Sequence, residues 1–304
     1  MMLLGSIEAG GTKFVCGIGT ENGEILKKIS IPTTSPQETL KEVIQFFIDN
    51  RVDALGIGTF GPADIKKSSP TYGYIMNTPK LAWQNYPLFQ VVQKELKVPI
   101  GFTTDVNTAV LAENTYGAAV GLKSCLYITM GTGIGAGAIV NGKLLEGLSH
   151  PEMGHIIIRK HEDDIFEGIC PFHHDCLEGL ASGSAIEKRW GKKGSELAQN
   201  LKVWKLEAYY IAQALVQYIM ICMPEKVIIG GGVSNQRILF PIIRKYVQKF
   251  LNGYFPYSEF NEDIDAYIVP TELNGNAGLI GGFILAKNTL IKQNTCADWH
   301  LSCK

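Results

Sequence analysis

This chain of 304 residues carries almost no surplus charge: 28 basic against 29 acidic residues leave a formal net charge of -1. Without a basic excess there is little to attract nucleic acid or an anionic membrane surface. Long hydrophobic runs are also missing. No stretch approaches the roughly 18 to 20 uninterrupted apolar residues of a membrane span, and the opening MMLLGSIEAGG lacks the charged start and long apolar run of a secretory signal. The expectation is a soluble, cytoplasmic protein. Cysteine is sparse and odd in number. The seven, at Cys16, Cys125, Cys170, Cys176, Cys222, Cys296 and Cys303, make no disulfide framework, so in a reducing compartment the close pair Cys170 and Cys176 reads as metal-binding. No low-complexity linker divides the chain. What is abundant is apolar character: 46% hydrophobic against 19% charged residues, over a length that suits one large or two medium domains with a sizeable core.

The densest chemistry lies between His150 and Glu178, HPEMGHIIIRKHEDDIFEGICPFHHDCLE, which holds five of the six histidines. His155, Cys170, His173 and Cys176 offer two sulfurs and two imidazole nitrogens, the tetrahedral set that zinc prefers. Four protein ligands close the coordination shell, so such a zinc is structural; a catalytic one keeps a position open. The plainer reading is two buried thiols with surface imidazoles. A metalloprotease helix needs His-Glu-x-x-His, whereas His150 and His155 are five apart around Pro151 and Gly154, which break a helix.

Elsewhere the chain repeats itself. Leu3 to Glu8, Lys13 to Ile18 and Ile25 to Ile31 are apolar runs separated by Ala9-Gly10-Gly11-Thr12 and an Asn-Gly turn, the pattern of a three-stranded antiparallel meander. Leu126 to Leu145 repeats the order, with turns at Gly131-Thr132-Gly133 and Asn141-Gly142. Glycine lets successive backbone N-H groups converge on an anion, and threonine adds a hydroxyl. Two such turns facing each other across a cleft would hold a nucleotide triphosphate from both sides. Neither is a Walker loop, because Gly10-Gly11-Thr12-Lys13 lies between strands. Each turn alone also reads as ordinary hairpin chemistry.

Between the repeats, Pro36 to about Asp49 reads as a helix capped by Ser35 and Glu38, with Leu40, Val43, Ile44 and Phe47 inward. Ala54 to Thr59 reads as a strand and Tyr74 to Trp83 as a loop, either an ordinary surface loop or a carrier of ligand-binding side chains. A helix after three antiparallel strands, then another strand, indicates an α/β layer fold. A strand from Pro99 to Thr103 leads to Thr104-Asp105-Val106-Asn107 and a helix from Thr108. Asp105 is there either a capping carboxylate or a base aimed at a substrate hydroxyl, and local sequence does not choose. Past the histidine-rich stretch, Ser182 to Trp190 and Leu197 to Cys222 read as helices, the second buried over Tyr209 to Met223. Lys226 to Ile229 reads as a strand running into Gly230-Gly231-Gly232, a seat for a nucleotide base or ribose or a simple turn. A helix from Asn235 to Asn252, a strand from Tyr267 to Val269, a helix from Asn276 to about Leu290 and a loosely held tail over 293–304 complete the chain.

GSIEAGGTK at Gly5–Lys13, TDVNTAVLAE at Thr104–Glu113, GTGIGAG at Gly131–Gly137, EMGH at Glu152–His155, CPFHHDCLE at Cys170–Glu178 and Gly230–Gly232 together resemble, in order and spacing, the sugar kinases of the ROK family. The resemblance covers nearly the whole chain, and the opening EAGGTKF is most like that of the zinc-containing bacterial fructokinases. It implies a two-domain actin-like, ribonuclease-H-like α/β fold, divided here at 1–115 and 116–304 with a zinc loop at 155–178, and with the last helix returning to the first domain. It implies ATP-dependent phosphorylation of a hexose at its 6-hydroxyl, D-fructose first, with ATP and sugar in the cleft between the domains and Asp105 as base. Gly10, Gly11, Thr12, Lys13, Gly131, Thr132, Gly133, Pro171, Gly230, Gly231 and Gly232 are expected on ATP. Gly61, Asn77, Thr78, Thr104, Asp105, Glu152, His155 and Glu178 are expected on the sugar. His155, Cys170, His173 and Cys176 are expected on zinc, Glu8 in the outer surroundings of a magnesium ion, and the assembly is expected to be a homodimer.

The chain departs from the family pattern where Glu8 replaces an aspartate, where Thr103 and Thr104 replace Glu-Asn before Asp105, and where Pro171, Phe172 and His173 replace a Cys-Gly segment of the metal loop. These changes bear on sugar choice, leaving a glucokinase or mannokinase, or a non-catalytic sugar sensor, as alternatives. A sugar-sensing repressor would need a helix-turn-helix ahead of Gly10, where only nine residues stand. A zinc hydrolase would need an open coordination position.

Overall fold

The computed structural model describes the backbone of residues 2–302 and the side chains of residues 2–293. In chain order the strands and helices are β1 (Leu3–Ala9), β2 (Lys13–Thr20), β3 (Ile25–Pro32), α1 (Pro36–Asp49), β4 (Ala54–Thr59), α2 (Leu88–Leu96), β5 (Ile100–Thr104), α3 (Asp105–Tyr116), β6 (Cys125–Met130), β7 (Ile134–Val140), β8 (Lys143–Leu144), α4 (Leu177–Ala181), α5 (Gly183–Trp190), α6 (Leu201–Cys222), β9 (Lys226–Gly230), α7 (Leu239–Leu251), α8 (Ile264–Tyr267), β10 (Ile268–Pro270) and α9 (Ala277–Ser302). They form two compact units. Unit 1 takes residues 1–116, 146–150 and 276–304; unit 2 takes 117–145 and 151–275.

Each unit is built on a five-stranded mixed sheet, in the order β3-β2-β1-β4-β5 in unit 1 and β10-β9-β6-β7-β8 in unit 2. Read from the other edge, the second order is 8-7-6-9-10, the first order with five added to every strand. In both, three strands run as an antiparallel meander and two more join the first strand in parallel. The repeated glycine turns in the sequence therefore mark a repeated topology. Its third strand differs: β3 has eight residues and β8 two.

Unit 1 packs Ile7, Phe14, Ile57 and Phe102 from its sheet with Leu40, Val43 and Phe47 of α1 and Leu88 and Val92 of α2. The Ser35 hydroxyl accepts from Glu38 N at 3.4 Å and donates to the Glu38 carboxylate at 2.9 Å, closing the first turn of α1. Helix α2 falls where no helix is expected from the sequence; Leu88 and Val92, four residues apart, are its inward stripe. Helix α9 covers another part of the sheet, where Leu279, Phe283 and Ala286 bury Leu4 and Ala54. Its backbone continues to Ser302, past the expected end near Leu290. The expectation of a loose tail falls largely on side chains outside the described residues.

Unit 2 packs Leu126, Ile128, Ala136, Val227 and Ile229 of its sheet against Trp204, Ile211 and Leu215 of α6 and Ile243 and Val247 of α7. Helix α6 is buried over most of its length, but Met220 and Ile221 are exposed, so its last turn corrects the expectation of burial through Met223. Helix α7 begins at Leu239 and not Asn235, because Gly232–Asn235 forms a separate 3-10 turn. Among the described residues, no helix is long and apolar enough to cross a membrane.

Candidate functional site

The strand register of unit 1 gathers its candidate residues at one edge. Ala9 pairs with Thr59 and Thr59 with Thr104, so β1, β4 and β5 end level with one another. Beyond those ends stand the turn of residues 10–13, the Gly61–Pro62 segment and Asp105. With strands about 4.8 Å apart, the turn and the Asp105 backbone lie roughly 10 Å from each other. Phe60 N donates to Ala9 O at 2.8 Å, extending the ladder as far as Gly61, and Met76 N donates to Pro62 O at 2.7 Å, bringing Asn77 and Thr78 to the same side. The Asn77 side-chain oxygen accepts from Gln84 Nε2 at 2.9 Å, while Thr78 is buried.

The turn itself is closed by Gly10 N donating to Lys13 O at 3.0 Å and by Thr33 N donating to Thr12 O at 3.0 Å. The amides of Gly11 and Thr12 point to no acceptor among the described residues. Glu8 precedes the turn, its carboxyl packed on Gly278 of α9. Burial raises its pKa, and Lys13 and Lys28 partly offset that rise.

The capping question at Asp105 has a structural answer. Helix α3 starts at Asp105, and its first turn is capped by the preceding residue: Asn107 N donates to Thr104 Oγ1 at 3.3 Å, and Asn107 Nδ2 donates to Thr103 Oγ1 at 3.0 Å. The Asp105 carboxylate accepts from the neighbouring Val106 N at 2.8 Å. Thr104 is thus a buried cap. Thr104→Val is expected to destabilise unit 1 by about 1 kcal/mol, read as a lowered urea midpoint with unchanged slope.

Unit 2 gathers its own set. The second glycine turn is held by Gly131 N donating to Gly133 O at 2.9 Å and Gly183 N donating to Gly131 O at 2.7 Å. Register sets Thr129 of β6 beside Gly230 of β9, so Gly230–Gly232 emerges next to that turn. Gly231 has φ +83, and a Cβ there would lie 2.5 Å from the Met130 backbone nitrogen; glycine is required on both counts. Glu178, in α4, accepts from Ile134 N at 2.9 Å and so braces the far side of the turn.

His155, Cys170, His173 and Cys176 converge, their ligand atoms all within 4.8 Å of one another, and they could hold a metal ion. His155 Nδ1 lies 3.6 Å from Cys170 Sγ and 3.5 Å from Cys176 Sγ, and His173 Nδ1 lies 3.6 Å from Cys170 Sγ. The loop turns back on itself through paired Cys170 and His174 backbone bonds, with His174 at φ +54 and Pro171 at the turn's start. The other ring nitrogen of His155, Nε2, faces Glu178 Oε1 at 3.9 Å. Glu152 reaches solvent, yet the protein packed around it and then the Glu178 carboxylate push its pKa up to about 7.

One cluster was not visible in sequence. Asp164 accepts from the Tyr210 hydroxyl and from Arg189 Nη2 at 3.1 Å, and Arg189 Nη1 donates to Glu207 at 2.9 Å. The Arg189 guanidinium also stacks 4.5 Å over Phe166. This buried network ties the segment leading to the metal loop onto α5 and α6. Its members come from three places in the chain, and no local pattern in the sequence joins them.

A family model described as "ROK family" matches residues 4–289 of this chain. A fructokinase of Pediococcus pentosaceus is 45% identical, over 95% of this chain and 99% of its own length, and one of Lactococcus lactis subsp. cremoris is 44% identical, over 95% and 98%. Among solved structures, a ROK family glucokinase from Streptomyces griseus in complex with glucose and AMPPNP superposes with a TM-score of 0.77 at 26% identity, over 94% of this chain and 99% of its own. A ROK hexokinase from Thermus thermophilus gives the same TM-score at 25% identity. With a family model spanning nearly its whole length and such relatives covered end to end, the chain belongs to the ROK family.

Proposed function

We propose that this protein is an ATP-dependent fructokinase that transfers the terminal phosphate of ATP to the 6-hydroxyl of D-fructose. The observation that carries the reading is the common edge of the unit 1 sheet, where a glycine turn with two unpaired amides and Asp105 stand two strands apart. Relatives at 44 and 45% identity named fructokinase support the substrate.

In the proposed step Asp105 takes the proton of the sugar hydroxyl as its oxygen bonds to the γ-phosphorus; the bond from that phosphorus to the β-γ bridging oxygen breaks, and its electron pair leaves with ADP. Such transfer needs little covalent help: holding the hydroxyl in line and offsetting phosphate charge supply most of the rate. The amides of Gly11 and Thr12 and the second turn at residues 131–133 would donate to phosphate oxygens, and Gly230–Gly232 would seat the nucleoside. Gly61, Asn77, Thr78, Glu152, His155 and Glu178 would hold sugar hydroxyls. Magnesium, when bound with ATP, neutralises phosphate charge, and Glu8, half-buried next to the turn, suits the outer surroundings of such an ion.

The Cys2His2 cluster fits zinc. Bond lengths of about 2.3 Å to sulfur and 2.0–2.1 Å to nitrogen give a tetrahedron whose S···N edges are about 3.5–3.6 Å. The three distances from sulfur to Nδ1 given above have that length. Four protein ligands make the site structural, and the ring nitrogen left to His155 is oriented by Glu178.

The test is ADP release from Mg-ATP against fructose, glucose, mannose and N-acetylhexosamines. Fructose is expected to lead in kcat/KM by about tenfold or more, some 1.4 kcal/mol in transition-state binding. A lead by another hexose overturns the substrate; ADP release with none of them overturns the enzyme.

A further inference from the structure

Lys80 is held against the first glycine turn. From the point where a Cβ on Gly11 would stand, Lys80 Cε is 2.9 Å and Cδ 3.8 Å away, so the lysine lies in the space beside the bare glycine. Lys80 is exposed, and the backbone of the loop that carries it is fixed. Trp83, 1% exposed, packs on Phe14 with ring centroids 5.1 Å apart and donates its indole N-H to Thr34 O at 2.9 Å. Trp83 N in turn donates to Lys80 O at 2.8 Å. Phe14 lies two residues beyond Thr12 in β2, so the loop is fastened to the same hairpin that forms the turn.

The Lys80 ammonium has no hydrogen-bonding or ionic partner among the described residues, and the end of its side chain lies beside Gly11, whose amide, like that of Thr12, has none either. A lysine ammonium is a compact point charge suited to a phosphate oxygen. Lys80 also follows Asn77 and Thr78, the candidate sugar residues, by three and two positions. The loop that carries the candidate sugar residues thus also carries a cation to the turn, and the phosphate nearest the sugar is the one transferred.

We propose that Lys80 contacts the terminal phosphate of a nucleoside triphosphate seated at residues 10–13, and so makes this chain favour tri- over diphosphate. The inference rests on the nucleotide reading of that turn. A cation on the migrating phosphoryl group would also offset the charge that develops on the ADP leaving group.

The test measures binding as well as turnover. Calorimetric titration with Mg-AMPPNP and with Mg-ADP is performed on the wild-type protein, Lys80→Met and Lys80→Arg, with thermal melts to verify folding. The methionine variant is expected to lose roughly tenfold or more in AMPPNP affinity, the scale of one hydrogen bond to a charged group, while ADP affinity changes less than about twofold. Arginine is expected to restore most of the loss. Equal weakening of both nucleotides, no change in either, or a loss confined to fructose affinity would overturn the assignment. A wild-type protein that binds AMPPNP but phosphorylates no sugar sinks the kinase reading while leaving Lys80 measurable; one that binds neither nucleotide sinks both.

Discussion

Asp105→Asn is expected to lower kcat for fructose phosphorylation by about 10^2 to 10^4, the range general-base catalysis supplies, while fructose affinity stays nearly unchanged. The substitution is well suited to isolating proton transfer. Asparagine keeps a side-chain oxygen that can accept from Val106 N, as Asp105 Oδ1 does at 2.8 Å, and the α3 cap is made by Thr104, so the helix start is undisturbed. What is lost is the basicity. Steady-state kinetics alongside calorimetric titration with fructose separate the two effects: a fall in kcat with unchanged affinity marks a base, whereas parallel loss of both marks a binding residue. A variant with near-normal kcat would sink the assignment.

Removing the metal is expected to have the second large effect. Metal-binding free energy at a closed site is folding free energy, and the links described above pass from the ligands to a glycine turn within unit 2. Cys170 and Cys176 are buried, His155 faces Glu178 through Nε2, and Glu178 holds Ile134 N. Exhaustive chelation, or Cys176→Ser, is therefore expected to loosen residues 150–178, lower the melting temperature and reduce kcat/KM by about 10- to 100-fold or more, as changes around metal ligands do. Elemental analysis should find one zinc per chain before treatment, and readdition should restore activity to the chelated protein. Full activity in metal-free protein would remove the structural role. An exchangeable ion needed only for the chemical step, with no change in melting, would instead point to metal-assisted hydrolysis.

Much of this architecture was legible because glycine punctuates it. The turns at Gly10-Gly11 and Gly131-Thr132-Gly133 separate apolar runs of strand length, and their recurrence carried the duplicated topology. Helix α2 was missed because its short stripe, Leu88 and Val92, follows a loop and ends within nine residues, too brief for a clear period. The exposed end of α6 was missed for another reason: an apolar sequence reports what a helix could bury, and Met220 and Ile221 are simply left uncovered.

The Cys/His cluster was legible from residue type and spacing, since three of its members lie within seven residues and the fourth, His155, stands further off. Asp105 was half legible. Both of its readings require a strand-to-helix junction, and which oxygen closes the first turn depends on where the helix begins, a matter of one residue. The Asp164, Arg189 and Glu207 network and the contact of Lys80 with Gly11 were not legible at all, because each depends on distant segments meeting.

Helix α9 belongs to unit 1 although it is made after unit 2. During synthesis residues 1–116 can pair their five strands, but Leu4 and Ala54 lack most of their cover until Leu279, Phe283 and Ala286 leave the ribosome. Unit 2 takes in no residue beyond 275. Multidomain chains usually complete their domains from the N-terminus onward as they emerge; here the order is inverted. The second unit can finish while the first waits with an apolar sheet face open, and truncation at the C-terminus is therefore a lesion of the N-terminal unit.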